Sequence, residues 1–459
     1  MTLHLMVLGV YALGLMALGL WIGRRVGGAA DFFVAGRRLG PGLIFSTLLA
    51  ANIGAGSTVG ATSLGYSGGL GSWWWVGSAG VGCTVLALWV GPSIRRVAEA
   101  HNLRTVGDYL EFRYSPAVRA VSAAVLWFGS IFILASQLIG LGWILNVVVG
   151  VPRSVGCIAG GLVITVYFAA GGLLTAAWVN LVQLAVKMAG FAIAVPLAIS
   201  WFGGAGMLGA VRADEAAFWT FWGPDAVRNL ALLAPSFVVS PGLLQKVFGA
   251  RDDRAVRVGV GLNAVGLLLF AGVPTVLGIM ARASFPDLEA TNLALPLILM
   301  HGLPPLAGAL ALAAVFSAEI SAADAVLFML ATSLSQDLYK RFIHPEAGDA
   351  TVLRVARRAT VVSGVLGVAL SLAFVDLVET LTIFYALLGV SLFVPIVAGL
   401  YVRRTSSSGA LASIAAGVAG WSTIHLATGG TGWSIVTPPA AGLLSAIAAW
   451  AITLAVSRR

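Results

Sequence analysis

Apolar runs of about twenty residues recur thirteen times along the chain, and this repetition decides the fold class before any motif is read. Each run is long enough to cross the hydrocarbon core of a bilayer as a helix. They lie near 3–23, 41–66, 73–94, 118–149, 154–172, 181–202, 229–245, 256–281, 305–336, 352–375, 380–402, 408–427 and 437–456. Only 10% of residues are charged, against about 25% in soluble domains. The alternating pattern of an outer-membrane barrel is absent. The sequence therefore predicts an all-α integral membrane protein with about 13 transmembrane helices.

A net charge of +9 could suggest a nucleic-acid partner, but its distribution argues against one. The basic residues fall almost wholly into alternate loops. Arg24, Arg25, Arg37, Arg38, the arginines of 95–119, Lys246, Arg251–Arg257, Lys340–Arg358, Arg403, Arg404, Arg458 and Arg459 share one side. The other side holds only Arg153, Arg212, Arg228 and Arg282. The positive-inside rule makes the first set cytoplasmic, with the amino terminus outside and the carboxy terminus inside. The expected location is the cytoplasmic membrane, the inner membrane of a cell with two. The first run lacks a basic n-region and reads as an uncleaved helix. Cys83 and Cys157 sit inside apolar runs and read as small buried hydrophobes. No phosphate loop GxxxxGK[ST] or HExxH pair occurs, so neither a nucleotide-driven motor nor an enzyme is expected, and no catalytic residue is assigned.

Two interrupted helices carry the functional signal. "LLAANIGAGSTVGATSLGY" (48–66) places Asn52, Gly54, Gly56, Gly60, Ser57 and Thr58 within about two turns of a membrane span. In "FVVSPGLLQK" (237–246), Pro241 deletes a backbone donor and Gly242 relaxes the chain. The two lie five spans apart, hence in opposite orientations. Paired broken helices in inverted halves point to a transporter's binding site. Close packing through small residues is the competing explanation for the glycines.

The ninth run, "AVFSAEISAADAVLFMLATSLSQDLYKRF" (314–342), puts Ser317 and Ser321 on one helical face and Glu319 and Asp324 inside the membrane. The serines can instead bond carbonyls of their own helix, and Asp324 can serve a structural hydrogen bond. Lys187, one of three lysines, lies well inside the sixth run. It can pair with Glu319 or another carboxylate, or extend its stem toward an interface. Trp73, Trp74 and Trp75 read as interface anchors. Glu111 with Arg113, and Asp252 with Arg254, read as solvated loop charges.

"DFFVAGRRLG" (31–40), "AANI" (50–53), "TVGDYLEFRYSPAVR" (105–119), "GGLLTAAWVNLVQ" (171–183) and "ISAADAVLFMLATSLSQDLY" (320–339) occur in the order of motifs of one transporter family. On these the chain resembles the sodium:solute symporters over essentially its whole length. The resemblance implies a LeuT-like five-plus-five inverted repeat, with repeats at about 41–202 and 229–402 in a single transporter domain. Helices 3–23, 408–427 and 437–456 would be peripheral. It also implies a sodium ion, the coupling ion and only cofactor, held by the carbonyls of Ala50, Ile53 and Ala318 and the hydroxyl of Ser321. The solute would lie near Asn52, Ser57, Thr58 and Ser240.

Two positions depart from the family pattern. Ala322 replaces a hydroxyl that would ligate sodium, and Asn180 replaces an aspartate. Asn180, Lys187, Glu319 and Asp324 are therefore the candidate coupling residues. The expected function is sodium-coupled import of a small polar solute (a sugar, amino acid or carboxylate) by a monomer in the lipid bilayer. The alternative is a proton-coupled or uncoupled carrier that uses Lys187. A solute sensor or channel on the same fold is less favoured.

Overall fold

Proline opens many of the helices, at the position where its missing N–H costs nothing; Pro41, Pro116, Pro224, Pro241 and Pro305 all do so. The computed structural model describes residues 2–23, 39–201, 216–433 and 436–456. Within its helices the side chains of 2, 19, 20, 22, 23, 167, 170–178, 180, 181 and 201 are outside the description.

The described residues form an all-helical protein. Helix α1 (Thr2–Gly23) is followed by α2 (Pro41–Asn52), a 3-10 turn (Ala55–Ser57) and α3 (Val59–Gly68). Next come α4 (Trp73–Val85), a π-helical turn (Leu86–Val90), α5 (Gly91–Ala100), α6 (Val106–Arg113), α7 (Pro116–Val149) and α8 (Arg153–Trp201). Then follow α9 (Pro224–Val239), α10 (Pro241–Phe248), α11 (Asp253–Phe270), α12 (Gly272–Ser284) and α13 (Ala294–His301). The last are α14 (Pro305–Thr332) with a π-helical extension (Ser333–Ile343), α15 (Asp349–Ala373), α16 (Leu377–Tyr401), α17 (Ser407–Thr428) and α18 (Pro438–Val456).

Among the described residues, 10 helices are long and apolar enough to cross a membrane, and four shorter apolar helices accompany them. The thirteen expected runs all fall on helical segments, with one difference in division. The runs at 154–172 and 181–202 form a single helix, α8, of 49 residues. Gly171 and Gly172 end the first of these runs and no proline lies between the two, so no helical donor is lost. Straight, that helix would be about 73 Å long, more than twice the hydrocarbon thickness.

Both expected breaks are present. Helix α2 stops at Asn52 because Ile53 (φ −91°, ψ 93°) and Gly54 (φ −142°, ψ −162°) are extended. Helix α9 stops at Val239, and Ser240 (φ −54°, ψ 122°) joins it to α10. The nearly wholly buried α14 forms the centre, packing against α1, α2, α7, α8 and α15. This places Ser317–Asp324 beside the first break.

Candidate ion and solute site

An opened helix leaves donors and acceptors that hydrocarbon cannot satisfy, so each must find a partner inside the protein. At the first break they do. The Gly54 N–H donates to Ser57 Oγ at 3.1 Å and the Ala55 N–H to Gln137 Oε1 at 2.9 Å. Ser57 Oγ donates to the Asn52 carbonyl at 2.9 Å, and Trp75 Nε1 donates to the Gly56 carbonyl at 2.9 Å. Thr58 Oγ1 lies 2.9 Å from the Gly54 carbonyl and 3.0 Å from Glu319 Oε1.

The remaining carbonyls converge on one cation. Lys187 of α8 is fully buried. Its Nζ donates to Ser321 Oγ at 2.6 Å, to the Ala50 carbonyl at 2.8 Å and to the Ile53 carbonyl at 3.5 Å. Ser321 Oγ also lies 3.2 Å from the Ala50 carbonyl and 3.3 Å from that of Ala318. The four expected sodium ligands are thus brought together, with an ammonium group among them. Lys187 reaches these oxygens rather than extending to an interface.

Close packing and an open backbone coexist here. A Cβ on Gly54 would sit 2.5 Å from the Ala322 Cβ and 3.0 Å from Gln137 Oε1. A Cβ on Gly56 would sit 2.6 Å from Leu381 Cδ1. Ala322, where the family pattern has a hydroxyl, therefore fills the space that Gly54 leaves.

The residues expected to face the solute are placed differently from one another. Ser57 and Thr58 turn their hydroxyls onto the broken backbone and Glu319. Asn52 Nδ2 donates to Asn263 Oδ1 of α11 at 3.2 Å. Ser240 is partly exposed at the second break. Ser317 Oγ accepts from Tyr11 and donates to the Gln183 carbonyl at 3.1 Å. Glu319 and Asp324 are fully buried. The side chain of Asn180 lies outside the described residues.

Sequence reasoning missed two contributors. Gln137 is a polar residue in the middle of an apolar run, which was a signal. Trp75 looked like an interface anchor but is buried and bonds the break; its ring also meets Tyr385 edge-on at 6.3 Å, and Tyr385 meets Phe237 at 5.5 Å. Of the loop charges, Glu111 and Arg113 differ from expectation, whereas Asp252 and Arg254 stay solvent-accessible. Arg113 donates to the carbonyls of Gly399, Val402 and Arg403, and Glu111 pairs with Arg119 and Arg341. Asp252 bonds Arg251 and caps α11 through the Ala255 N–H. Ser67 stands in a G-x-S-x-G sequence at 65–69, but its hydroxyl closes α3 on the Ser63 carbonyl.

Comparison with known proteins agrees with this architecture. The chain is 24% identical over 468 residues to the sodium/glucose cotransporter of Vibrio parahaemolyticus, covering 91% of this chain and 84% of that one. It is 26% identical over 414 residues to the sodium/pantothenate symporter of Escherichia coli K12, covering 84% and 82%. The solved outward-open, substrate-bound state of a Na+-coupled sialic acid symporter superposes with a TM-score of 0.79 at 18% identity, covering 99% and 98% of the two chains. That likeness establishes the fold. The model of the sodium:solute symporter family matches residues 32–417, and the chain, a multi-pass membrane transporter rather than an enzyme, belongs to that family.

Proposed function

We propose that the chain imports a small polar organic solute by alternating access, and that the Lys187 amino group holds the cation position where family members would place sodium. The observation that carries this is the contact of Lys187 Nζ with Ser321 Oγ and the Ala50 and Ile53 carbonyls. A sodium ion within about 3 Å of that ammonium would meet a repulsion of about 5 kcal/mol at an effective dielectric of 20. The two cations cannot share these oxygens. The missing hydroxyl at Ala322 points the same way. In this reading uptake runs without sodium, and a cation tied to the chain closes the break that sodium would otherwise bridge. The repeats at 41–202 and 229–402 would rock about the site, with the arginine-rich loops cytoplasmic and the amino terminus outside.

Sodium coupling is the second reading, favoured by family membership and by the intact set of Ala50, Ile53, Ala318 and Ser321. It requires Lys187 to leave the position before the ion enters. Uptake into proteoliposomes, with sodium replaced by choline at fixed pH, separates the two. Undiminished uptake in choline that is abolished in Lys187→Ala supports the tethered cation. Uptake that collapses in choline and returns with sodium overturns it.

A further inference from the structure

A buried cation needs a buried anion. Moving an unpaired charge into a low-dielectric interior costs several kcal/mol even after relaxation, and a carboxylate inside a membrane span marks function by default. Glu319 is fully buried, on the same helix as Ser321 and next in sequence to Ala318. Its Oε1 lies 3.0 Å from Thr58 Oγ1 and shares that hydroxyl's single proton with the Gly54 carbonyl at 2.9 Å. Its Oε2 has no hydrogen-bond partner among the described residues. That oxygen faces Gly140 of α7, where even a Cβ would come within 3.0 Å.

Lys187 and Glu319 thus grip opposite sides of one break. The ammonium sits on the carbonyls at the carboxyl end of α2, where a helix dipole is negative. The carboxylate sits, through Thr58, where the chain restarts as α3 and the dipole is positive. The two side chains meet the break from opposite sides, Lys187 Nζ on the Ala50 and Ile53 carbonyls and Glu319 Oε1 beside Thr58.

We propose that Glu319 is the fixed counter-anion of the cation position, and that removing the Lys187 amino group uncovers there a sodium site whose affinity depends on Glu319. The proposal rests on the reading of Lys187 given above. With the amino group gone, the Ala50 and Ile53 carbonyls and the Ser321 hydroxyl face a vacated position, with the Ala318 carbonyl 3.3 Å from that hydroxyl and Glu319 on the far side of the break. Oxygens of this kind suit sodium, and the nearby carboxylate supplies the charge that neutral oxygens lack.

The test is thermal unfolding of the purified full chain in sodium, potassium or choline chloride, at constant ionic strength. Wild type is expected to show no sodium-specific stabilisation. Lys187→Ala is expected to gain one that rises with sodium concentration, as binding to the folded state alone demands. Adding Glu319→Gln to Lys187→Ala should weaken the apparent sodium affinity about tenfold or more, the effect of one nearby charge in protein. Adding Glu319→Asp instead should retain most of it. Sodium stabilisation of the wild type would overturn the reading of Lys187 and this proposal together. A sodium-indifferent wild type with a sodium-indifferent Lys187→Ala, or equal affinities with and without Glu319→Gln, would overturn the counter-anion alone. Should Lys187→Ala not fold, the pair Lys187→Met with Glu319→Gln decides the matter. It must be more stable than either single variant, and a double variant no better than its parents would overturn the proposal.

Discussion

The side chain of Gln137 accepts the Ala55 N–H at 2.9 Å, across 82 positions of sequence, so helix α7 supplies the bond that the broken helix withholds from its own backbone. Gln137→Leu keeps the volume and removes the acceptor. A buried N–H left without a partner costs about 1–3 kcal/mol. The variant should reach the membrane normally yet melt several degrees below wild type in detergent. A melting temperature equal to wild type would show that Ala55 has another partner.

Gly54 and Gly56 should differ in their tolerance of substitution. A methyl on Gly54 meets the Cβ of Ala322, which has no rotamer to move into, and also crowds Gln137. On Gly56 it meets the end of the flexible Leu381 side chain. Gly54→Ala should therefore cost more stability and more solute uptake than Gly56→Ala, by roughly the 1–3 kcal/mol typical of overpacking. Membrane levels of the two should match. Gly56→Leu exceeds what Leu381 can concede and should abolish uptake. Reversal of the Gly54 and Gly56 alanine effects in a thermal-shift and uptake comparison would refute this packing.

Ser321 gives Lys187 its shortest hydrogen bond, 2.6 Å. Ser321→Ala should lower stability by about 1–3 kcal/mol, the range for a hydrogen bond to a charged group or for a partner left unpaired, and should slow uptake. Ser333 lies farther along the same helical run, and its buried hydroxyl has no hydrogen-bond partner among the described residues. Ser333→Ala should change neither property measurably. Equal losses in both variants would remove Ser321 from the site.

Much of this site was legible because chemistry that hydrocarbon cannot tolerate stands out in an apolar sequence. The breaks announced themselves through Asn52, Gly54 and Pro241, and the pairing of Ser321 with Ala50 followed from matching motifs. Lys187 was visible as a lone lysine deep in a run, with its partners left open. What periodicity could not reveal was direction. Ser57 and Thr58 read as available to a solute, yet the open backbone and Glu319 beside them engage both hydroxyls. The contacts of Trp75 with Gly56 and of Gln137 with Ala55 are likewise long-range, set by how helices pack rather than by local spacing. The continuity of α8 through Gly171 and Gly172 has the same origin, since glycine permits a break without compelling one.

The final prediction concerns the charge cluster that joins α6, the start of α7 and the extension of α14. Arg119 is 8% exposed and lies 2.9 Å from Asp108, 3.0 Å from Glu111 and 2.6 Å from Asp337. Arg341 Nε adds a bond to Glu111 Oε1 at 3.0 Å. The Arg341 hydrogen bond first, and then Arg119, hold the Glu111 carboxyl below its usual range. A carboxylate with a depressed folded value adds stability that is fully present above its unfolded value and is lost as pH falls through the folded one. Wild type should therefore be more stable than Glu111→Gln at neutral pH. The gap should close as pH falls through and below the ordinary carboxylate range near 4.5. Arg119→Gln should be worse than Glu111→Gln at neutral pH, because it leaves Asp108, Glu111 and Asp337 facing one another without their shared cation. Melting curves of the three proteins across pH check both statements. A Glu111→Gln gap that persists unchanged into acid would show that its charge contributes nothing to holding this end of the bundle.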